Sequence, residues 1–464
     1  MVERGRFLTG STMGHVRRMT LAGALGITFV FIVDAANLFW VSRLGDPQLM
    51  AAVGFAFAIQ FFSVSSGIGL SVAATALVSR RIGSGKRRLA RINATGAAII
   101  AFVIQSTMAA LIFSFRHDIV AMSGAGGETA AMAARYLAIS VPSLGFMVVA
   151  MVAGSVLRAV GDAKRSMLVT LVSGGVAMVI DPILIIGLGW GLEGAAAGLV
   201  LSRMVMLVVG LRFAIGTHDM MAAPRLACVL VTARPFLVIA LPTILTQLAT
   251  PVGNYLATTV MAQFGDDAMA GWAVVGRLTV VAFGGIFSLS GAVGGIFGQN
   301  FGACQYDRVR STYRDALLFG LVYTLVTWLI LVWVGAYVAQ GFGLTEMGVH
   351  VVWSFTHIAA GGFVFATGLF VSNAAFNALG RPGRSTLLNW LRDGVVTLPL
   401  AILMAGWYGA SGVVFAQAIA SLVVGTGAVL WGWHYVNVLS RQTLPPLDLD
   451  PPRPYAHADR FRRR

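Results

Sequence analysis

The sequence predicts an all-α polytopic membrane protein, with twelve transmembrane helices arranged as two six-helix lobes that a parallel internal repeat relates. Hydrophobic residues make up 57% of the 464 residues and charged residues only 11%, whereas about a quarter of a soluble domain is charged. Long apolar segments follow one another with short loops between them, and the two halves of the chain share motifs at a fixed spacing. These features leave no room for a sizeable soluble domain.

Twelve apolar segments are long enough to cross the hydrocarbon core of a bilayer, which takes about 20 residues of α-helix. The first follows a basic tail, as the apolar part of a signal peptide would, but it is too long and lacks a small-residue cleavage site. We therefore expect it to be a retained helix. The predicted spans are 19–41, 52–78, 95–115, 130–153, 166–187, 192–213, 236–262, 269–297, 315–340, 349–376, 385–406 and 410–434.

The basic residues predict the orientation in the membrane. With the N-terminus in the cytoplasm, most of the 33 Lys and Arg residues lie in cytoplasmic tails and loops, as the positive-inside rule requires. The net charge of +15 then reflects topology and contact with anionic head groups, and nucleic-acid binding is excluded.

The predicted protein is a multi-pass protein of a bacterial inner membrane. Its predicted parts are a cytoplasmic tail (1–18), a first lobe (19–215), a cytoplasmic linker (216–235), a second lobe (236–434) and a cytoplasmic tail (435–464).

The internal repeat has an offset of about 219 residues. LRAVGDAKRSM at 157–167 recurs as FNALGRPGRST at 376–386, and RLGDPQLMAAVG at 43–54 matches QFGDDAMAGWAV at 263–274. The offset spans six helices, an even number, so both copies have the same orientation and an axis along the membrane normal relates them. The sequence thus predicts two parallel lobes with a cleft between them.

Two carboxylates inside the spans are the candidate ion-coupling residues. Asp34 interrupts the first apolar span, and Asp181 lies in the fifth directly before Pro182. A charged group at membrane depth is costly and marks an ion or substrate pathway. Since proline lacks an amide hydrogen, the carbonyl of Met178 is freed beside Asp181 and is a third candidate. Counted from the outer helix ends, the two acids lie at the same depth, about 10 Å.

The second lobe lacks equivalent acids, because Asn254 corresponds to Asp34 and Leu400 lies near the position equivalent to Asp181. We expect the ion chemistry in the first lobe. Arg392 and Asp393 are expected near the cytoplasmic end, where they would satisfy each other or the lipid head groups. The candidate substrate-cavity residues are Asn254, Gln247, Arg277 and Asn373.

The sequence resembles the multidrug and toxic compound extrusion (MATE) family along nearly its whole length. The motifs that carry the resemblance are Asp34 followed by WVSRLG and AAVG, the LRAVGDAK loop, IDP at 180–182 followed by GLGWGLEGAAAG, FGQNFGA at 297–303, and NALGRPGRS with LRD and LPL beyond. The resemblance implies a V-shaped pair of lobes that exports organic, often cationic, compounds against inward sodium or proton flow.

The resemblance also implies a first-lobe cation site, which this chain matches only in part. Asp34 and Asp181 match its two acids. Ala177 stands at the position of its Asn and Leu199 at that of its Thr, so two oxygen ligands are missing. The glutamate that some members carry on the seventh helix is absent, and Thr250 stands there.

The predicted function is secondary active efflux of small organic compounds by antiport with protons, with sodium as the other possible coupling ion. A flippase for lipids or lipid-linked oligosaccharides, from the same superfamily, is the alternative; Arg277 favours it and the acidic first lobe does not. An intramembrane aspartyl protease is a remote third hypothesis, since the nearest match to its motif is Ala159 to Asp162 in a cytoplasmic loop. We expect a monomer in the lipid bilayer, no enzymatic activity, no bound metal and no cofactor.

Overall fold

The computed structural model describes residues 5–441 of the chain. In this range twelve helices are long and apolar enough to cross a membrane, which confirms the predicted number. We number them α1 to α12, and their bounds are Thr12–Ser42, Gln48–Gly83, Arg87–Ser114, Gly127–Val160, Ala163–Gly187, Gly191–Thr217, Leu226–Phe264, Asp266–Gly302, Tyr306–Gly341, Glu346–Ala378, Pro382–Tyr408 and Ala410–Arg441. The basic C-terminal tail beyond 441 lies outside the described residues.

Most of the helices are longer than the apolar segments that predicted them. For example, α2 occupies Gln48–Gly83, whereas the predicted span covers 52–78. Polar residues extend such helices past the hydrocarbon core and cap their ends. The Asp46 carboxylate accepts a hydrogen bond from the Gln48 backbone amide at 2.8 Å, which satisfies one of the unpaired amides at the start of α2.

The two halves share local irregularities as well as helices. A turn of 3-10 helix interrupts α4 at Val141–Ser143 and α10 at Ala359–Gly362, at nearly the offset of the sequence repeat. Gly161 and Gly380, at matching places in the repeated motif, have φ angles of 94° and 88°, which only glycine adopts without strain. These matches are what two parallel copies of one six-helix lobe would produce.

The lobes meet at the end of the bundle that carries the short loops at 84–86, 161–162 and 303–305. We call it the basic end, because arginines of the adjoining helix ends, such as Arg81, Arg165 and Arg308, flank these loops. Gln299 Nε2 on α8 donates to the carbonyl of Ala159 at 2.6 Å. Arg80 on α2 is buried and donates through Nε to the carbonyl of Ala378 at 2.6 Å. Both bonds join the first lobe to the second, so the bundle is closed here.

The chain preceding α1 adds to this closure. Phe7 is buried, and its backbone amide donates to Gln299 Oε1 at 2.9 Å. Arg308 of the second lobe donates to the Phe7 carbonyl at 2.8 Å. The N-terminal segment therefore lies at the basic end and is held by residues of the second lobe.

Toward the opposite end the lobes separate. Among the described residues, the hydrogen bonds between the lobes extend from the basic end about as far as Thr243 on α7, which donates to the Gly69 carbonyl at 2.9 Å. Beyond this level the side chains of Asp34, Asn254 and Arg277 are exposed. The hydrogen bonds between the lobes are therefore concentrated in the half of the bundle at the basic end.

The connection between the lobes lies against the first lobe. Arg91 forms an ion pair with Asp219 at 2.7 Å, and His218 Nε2 lies 2.9 Å from Asp162 Oδ2. Asp162 also caps α5 by accepting from the Arg165 amide and side chain. Burial alone would raise the pKa of Asp162, but the bonds from Arg165 and His218 outweigh it and lower the pKa to about 2.

Candidate ion-coupling site

The structure brings the elements that carry Asp34 and Asp181 together. Asn37 lies one turn after Asp34 on the same face of α1, and its Nδ2 donates to Asp181 Oδ2 at 2.7 Å. Asp181 is 3% exposed, whereas the Asp34 side chain is exposed. One acid is therefore enclosed, and the other is open to its surroundings. Asn37 was not predicted, because an uncharged amide does not stand out in an apolar span.

Asp181 keeps one free oxygen. Its Oδ1 is buried and has no hydrogen-bond partner among the described residues. Gly198 on α6 lies against this atom, and a β-carbon at that position would overlap with it. A buried carboxylate oxygen without a donor is costly when the group is charged, so this atom is suited to accepting a proton or another cation.

The helix that carries Asp181 changes its geometry directly after Pro182. Regular α-helix ends at Pro182, and Ile183–Gly187 forms a π-helical turn, closed by the amide of Leu188 donating to the carbonyl of Ile183 at 2.8 Å. Proline cannot donate to the carbonyl four residues earlier, that of Met178, which agrees with the predicted irregularity. The Met178 side chain is exposed.

A buried arginine, which the sequence reasoning missed, lies beside the acids. Arg203 on α6 is 7% exposed and donates to the carbonyl of Ser140, to Ser143 Oγ and to Gln60 Oε1 at 3.0, 2.7 and 2.9 Å. It is close enough to Asp34 for their charges to interact. The sequence did carry a signal for it. An arginine inside an apolar span indicates a functional site as strongly as an aspartate does.

The two positions that lack oxygen ligands remain apolar in the structure. Ala177 is buried in α5, and Leu199 is half-buried in α6 and packs against the first-lobe core. A hard cation such as sodium needs several oxygens held together. At Ala177 and Leu199 the structure offers no side-chain oxygen to such a cation.

The predicted cavity residues do not form one cluster. The side chains of Asn254 and Arg277 are exposed, Gln247 is half-buried, and Asn373 is buried with no hydrogen-bond partner for its Oδ1 among the described residues. Hydrogen bonds within the described part of the chain do not join any two of these four side chains. Asn254 and Arg277 are the two exposed side chains among the four.

Arg392 and Asp393 satisfy each other, which is one of the two outcomes expected from the sequence. They form an ion pair with little exposure, with Arg392 Nε 2.6 Å from Asp393 Oδ1, and Thr250 donates to the other carboxylate oxygen at 3.3 Å. They lie in a π-helical turn at Leu391–Val396, about 15 Å along α11 from its start at Pro382.

Two parallel six-helix lobes, a cleft between them and acids inside the first lobe are the features of a secondary membrane transporter, not of an enzyme. The comparisons give the family. The MatE family model matches residues 24–183 and 242–403. The chain belongs to the multidrug and toxic compound extrusion (MatE) family.

The remote protease hypothesis was wrong. Asp162, the residue that matched the protease motif, lies about 28 Å along α5 from Asp181.

Among curated proteins, the chain is 26% identical to an FAD transporter from Shewanella oneidensis, over 92% of this chain and 95% of that protein. It is 22% identical to the multidrug export protein MepA from Staphylococcus aureus, over 88% and 90%.

Two solved structures agree closely with the fold. One is a MOP superfamily transporter from Pyrococcus furiosus, and the other is an outward-facing multidrug resistance MATE transporter. Each superposes with a TM-score of 0.88 at 22% identity and covers 95% of this chain and 99% of the other. At this identity the agreement establishes the fold, which has two six-helix lobes.

Proposed function

We propose that this protein exports small organic compounds by antiport with protons, which bind at Asp34 and Asp181 in the first lobe. The observation that carries this proposal is the buried Asp181 oxygen without a partner, on a carboxylate that Asn37 links to the helix of Asp34. A carboxylate in this setting gains most from protonation, because the neutral form no longer has to be solvated.

Protons are favoured over sodium because the site is poor in oxygen ligands. Ala177 and Leu199 supply none, and sodium would have to be held by Asp34, Asp181, the carbonyls near Pro182 and water. A proton needs only one carboxylate oxygen.

Helix α1 can transmit protonation to the contact between the lobes. Its second half carries Asp34 and Asn37, and its first half packs against α8, where Ser288 donates to the Thr20 carbonyl at 2.9 Å. Protonation removes the charge repulsion between the acids and changes the bond from Asn37 to Asp181. A shift of α1 in response would act directly on the closed basic end, which the positive-inside rule places in the cytoplasm.

The likeness to MepA supports organic, often cationic, substrates, and the likeness to an FAD transporter supports a second candidate, a flavin dinucleotide. The two substrates differ in charge, so they require different cavities. Arg277, exposed in the second lobe, favours the anionic one. It also suits the phosphate of a lipid-linked oligosaccharide, the substrate class of the alternative flippase function.

Transport into proteoliposomes tests this proposal. A cationic dye and FAD are offered separately, with a proton gradient alone and with a sodium gradient alone. We expect a proton gradient alone to drive transport of at least one of them. A sodium gradient alone, at equal pH on both sides and at the same voltage, should not drive it. Transport driven by sodium alone would overturn the proton assignment, and absence of transport for both compounds would overturn the substrate assignment.

A further inference from the structure

Arg203 is a buried cation that the coupling scheme above does not use. Within the described residues, each of its hydrogen bonds goes to a neutral acceptor: the Ser140 carbonyl, Ser143 Oγ and Gln60 Oε1. Within the described residues it forms no ion pair with a carboxylate inside 4.0 Å. Its charge is therefore held inside the first lobe without being cancelled by direct contact.

The surrounding hydrogen bonds fix the position of this charge. Gln60 Nε2 donates to Ser140 Oγ at 3.0 Å, and Ser143 Oγ donates to the Ser140 carbonyl at 2.6 Å. The acceptors come from α2 and α4, so the guanidinium is tied to two helices besides its own. An arginine keeps its charge at any physiological pH, so this cation is permanent.

Two ionisable groups on neighbouring helices lie near Arg203: Asp34 on α1 and Tyr136 on α4, which is buried. Asp181 on α5 lies near both of these groups. With both acids ionised and the tyrosine neutral, this cluster of four groups carries two negative charges and one positive charge. A single proton therefore makes it neutral.

We propose that Arg203 is the specificity-determining residue of the coupling site: it is a fixed internal cation that takes the place of a bound metal ion and limits the acids to proton exchange. This inference rests on the proposed function. A second cation entering beside Asp34 would be repelled by the guanidinium, and at short range in a partly dehydrated site that repulsion is strong. A proton is repelled too, but it forms a covalent bond with the carboxylate and needs no further ligands.

The test compares Arg203→Gln with Arg203→Lys in proteoliposomes. Removing the positive charge makes the acids bind protons more tightly, so the pH of half-maximal transport should move up by about one unit, a tenfold change in proton affinity. Sodium should also begin to compete with protons in this variant. Arg203→Lys keeps the charge, and its midpoint should stay within a few tenths of a unit of the wild-type value.

Arg135→Gln is the matched control. Arg135 is an exposed arginine on α4 that pairs with Glu193 at 3.1 Å, and its loss should leave the midpoint and the sodium response unchanged. If Arg203→Gln does not fold, the variant Gln60→Glu is measured instead. A carboxylate at position 60, in direct contact with the guanidinium, would neutralise its charge while Arg203 stays in place. It should move the midpoint in the same direction.

An unchanged midpoint and continued insensitivity to sodium in folded Arg203→Gln, or in Gln60→Glu, would overturn this inference. Failure of the proposed function gives a different result, because the wild-type protein would then show no proton-driven transport at all.

Discussion

Asp181 and Asp393 lie on the fifth helix of each lobe and both are buried, yet their surroundings are opposite. Asp181 lies just before a π-helical turn, and Asp393 lies within one. Asp393 has an arginine on the adjacent residue at 2.6 Å and a threonine on its other oxygen. Asp181 has one neutral amide donor and one oxygen without a partner in the described part of the chain, while Arg203 is bonded to other groups. The paired acid is already neutralised, so it can stabilise the fold. The unpaired acid still has a free site for a cation.

The largest effect is expected from neutralising the first-lobe acids. Asp34→Asn should fold normally and lose gradient-driven transport by at least tenfold, because the amide cannot exchange a proton. Glu193→Gln, which changes an exposed acid of the same lobe, should keep wild-type transport. Gradient-driven efflux at the wild-type rate from Asp34→Asn liposomes would remove Asp34 from the coupling site.

Breaking the second-lobe pair should affect stability before transport. Arg392→Leu leaves Asp393 buried and unpaired, which costs about 3–5 kcal/mol. The double variant Arg392→Leu with Asp393→Leu removes both charges and should recover most of this loss. Thermal unfolding in detergent measures both. If the single variant melts at the wild-type temperature, the pair is not the structural element described here.

A smaller change can be made next to Asp181 without altering its charge. Gly198→Ala places a methyl group against Asp181 Oδ1 and must displace the carboxylate from Asn37. We expect transport to fall several-fold while the unfolding temperature changes little. Gly175→Ala is the matched control, since a β-carbon on that glycine of α5 meets nothing within 4 Å. Equal transport in the two variants would contradict the assigned contact.

The smallest effect concerns an acid outside the membrane. The pKa of Asp162 is about 2, below its ordinary value of 3.8, so its contribution to stability is complete above pH 3.8 and is lost as the pH falls toward 2. Unfolding temperatures measured between pH 5 and pH 2 should fall less steeply in Asp162→Asn than in the wild-type protein. Parallel curves would show that the bonds of Asp162 to Arg165 and His218 contribute nothing measurable.

Hydropathy and the repeat were sufficient to predict the number of helices, their order and the two-lobed plan. A span of about 20 apolar residues has few alternatives in a bilayer, because every backbone amide must be bonded within the segment. The same reasoning identified Asp34 and Asp181, since a charge in such a span stands out in one dimension. Their assignment as coupling residues remains a proposal.

Asn37 and the surroundings of Arg203 were beyond this reasoning. Asn37 is uncharged and does not stand out in an apolar span. Arg203 lies on α6, and its meaning depends on acceptors from α2 and α4 that are more than 50 residues away in sequence.

The sequence by itself determined that this chain crosses a membrane twelve times in two parallel lobes, with acids inside the first. These properties follow from the local balance of apolar and charged residues, which a bilayer enforces segment by segment. Only the tertiary structure decided which acid is paired and which is free, and that Arg203 stands beside Asp34 without bonding to it. Such facts depend on distances of a few ångströms between helices, and electrostatic energies change steeply over such distances.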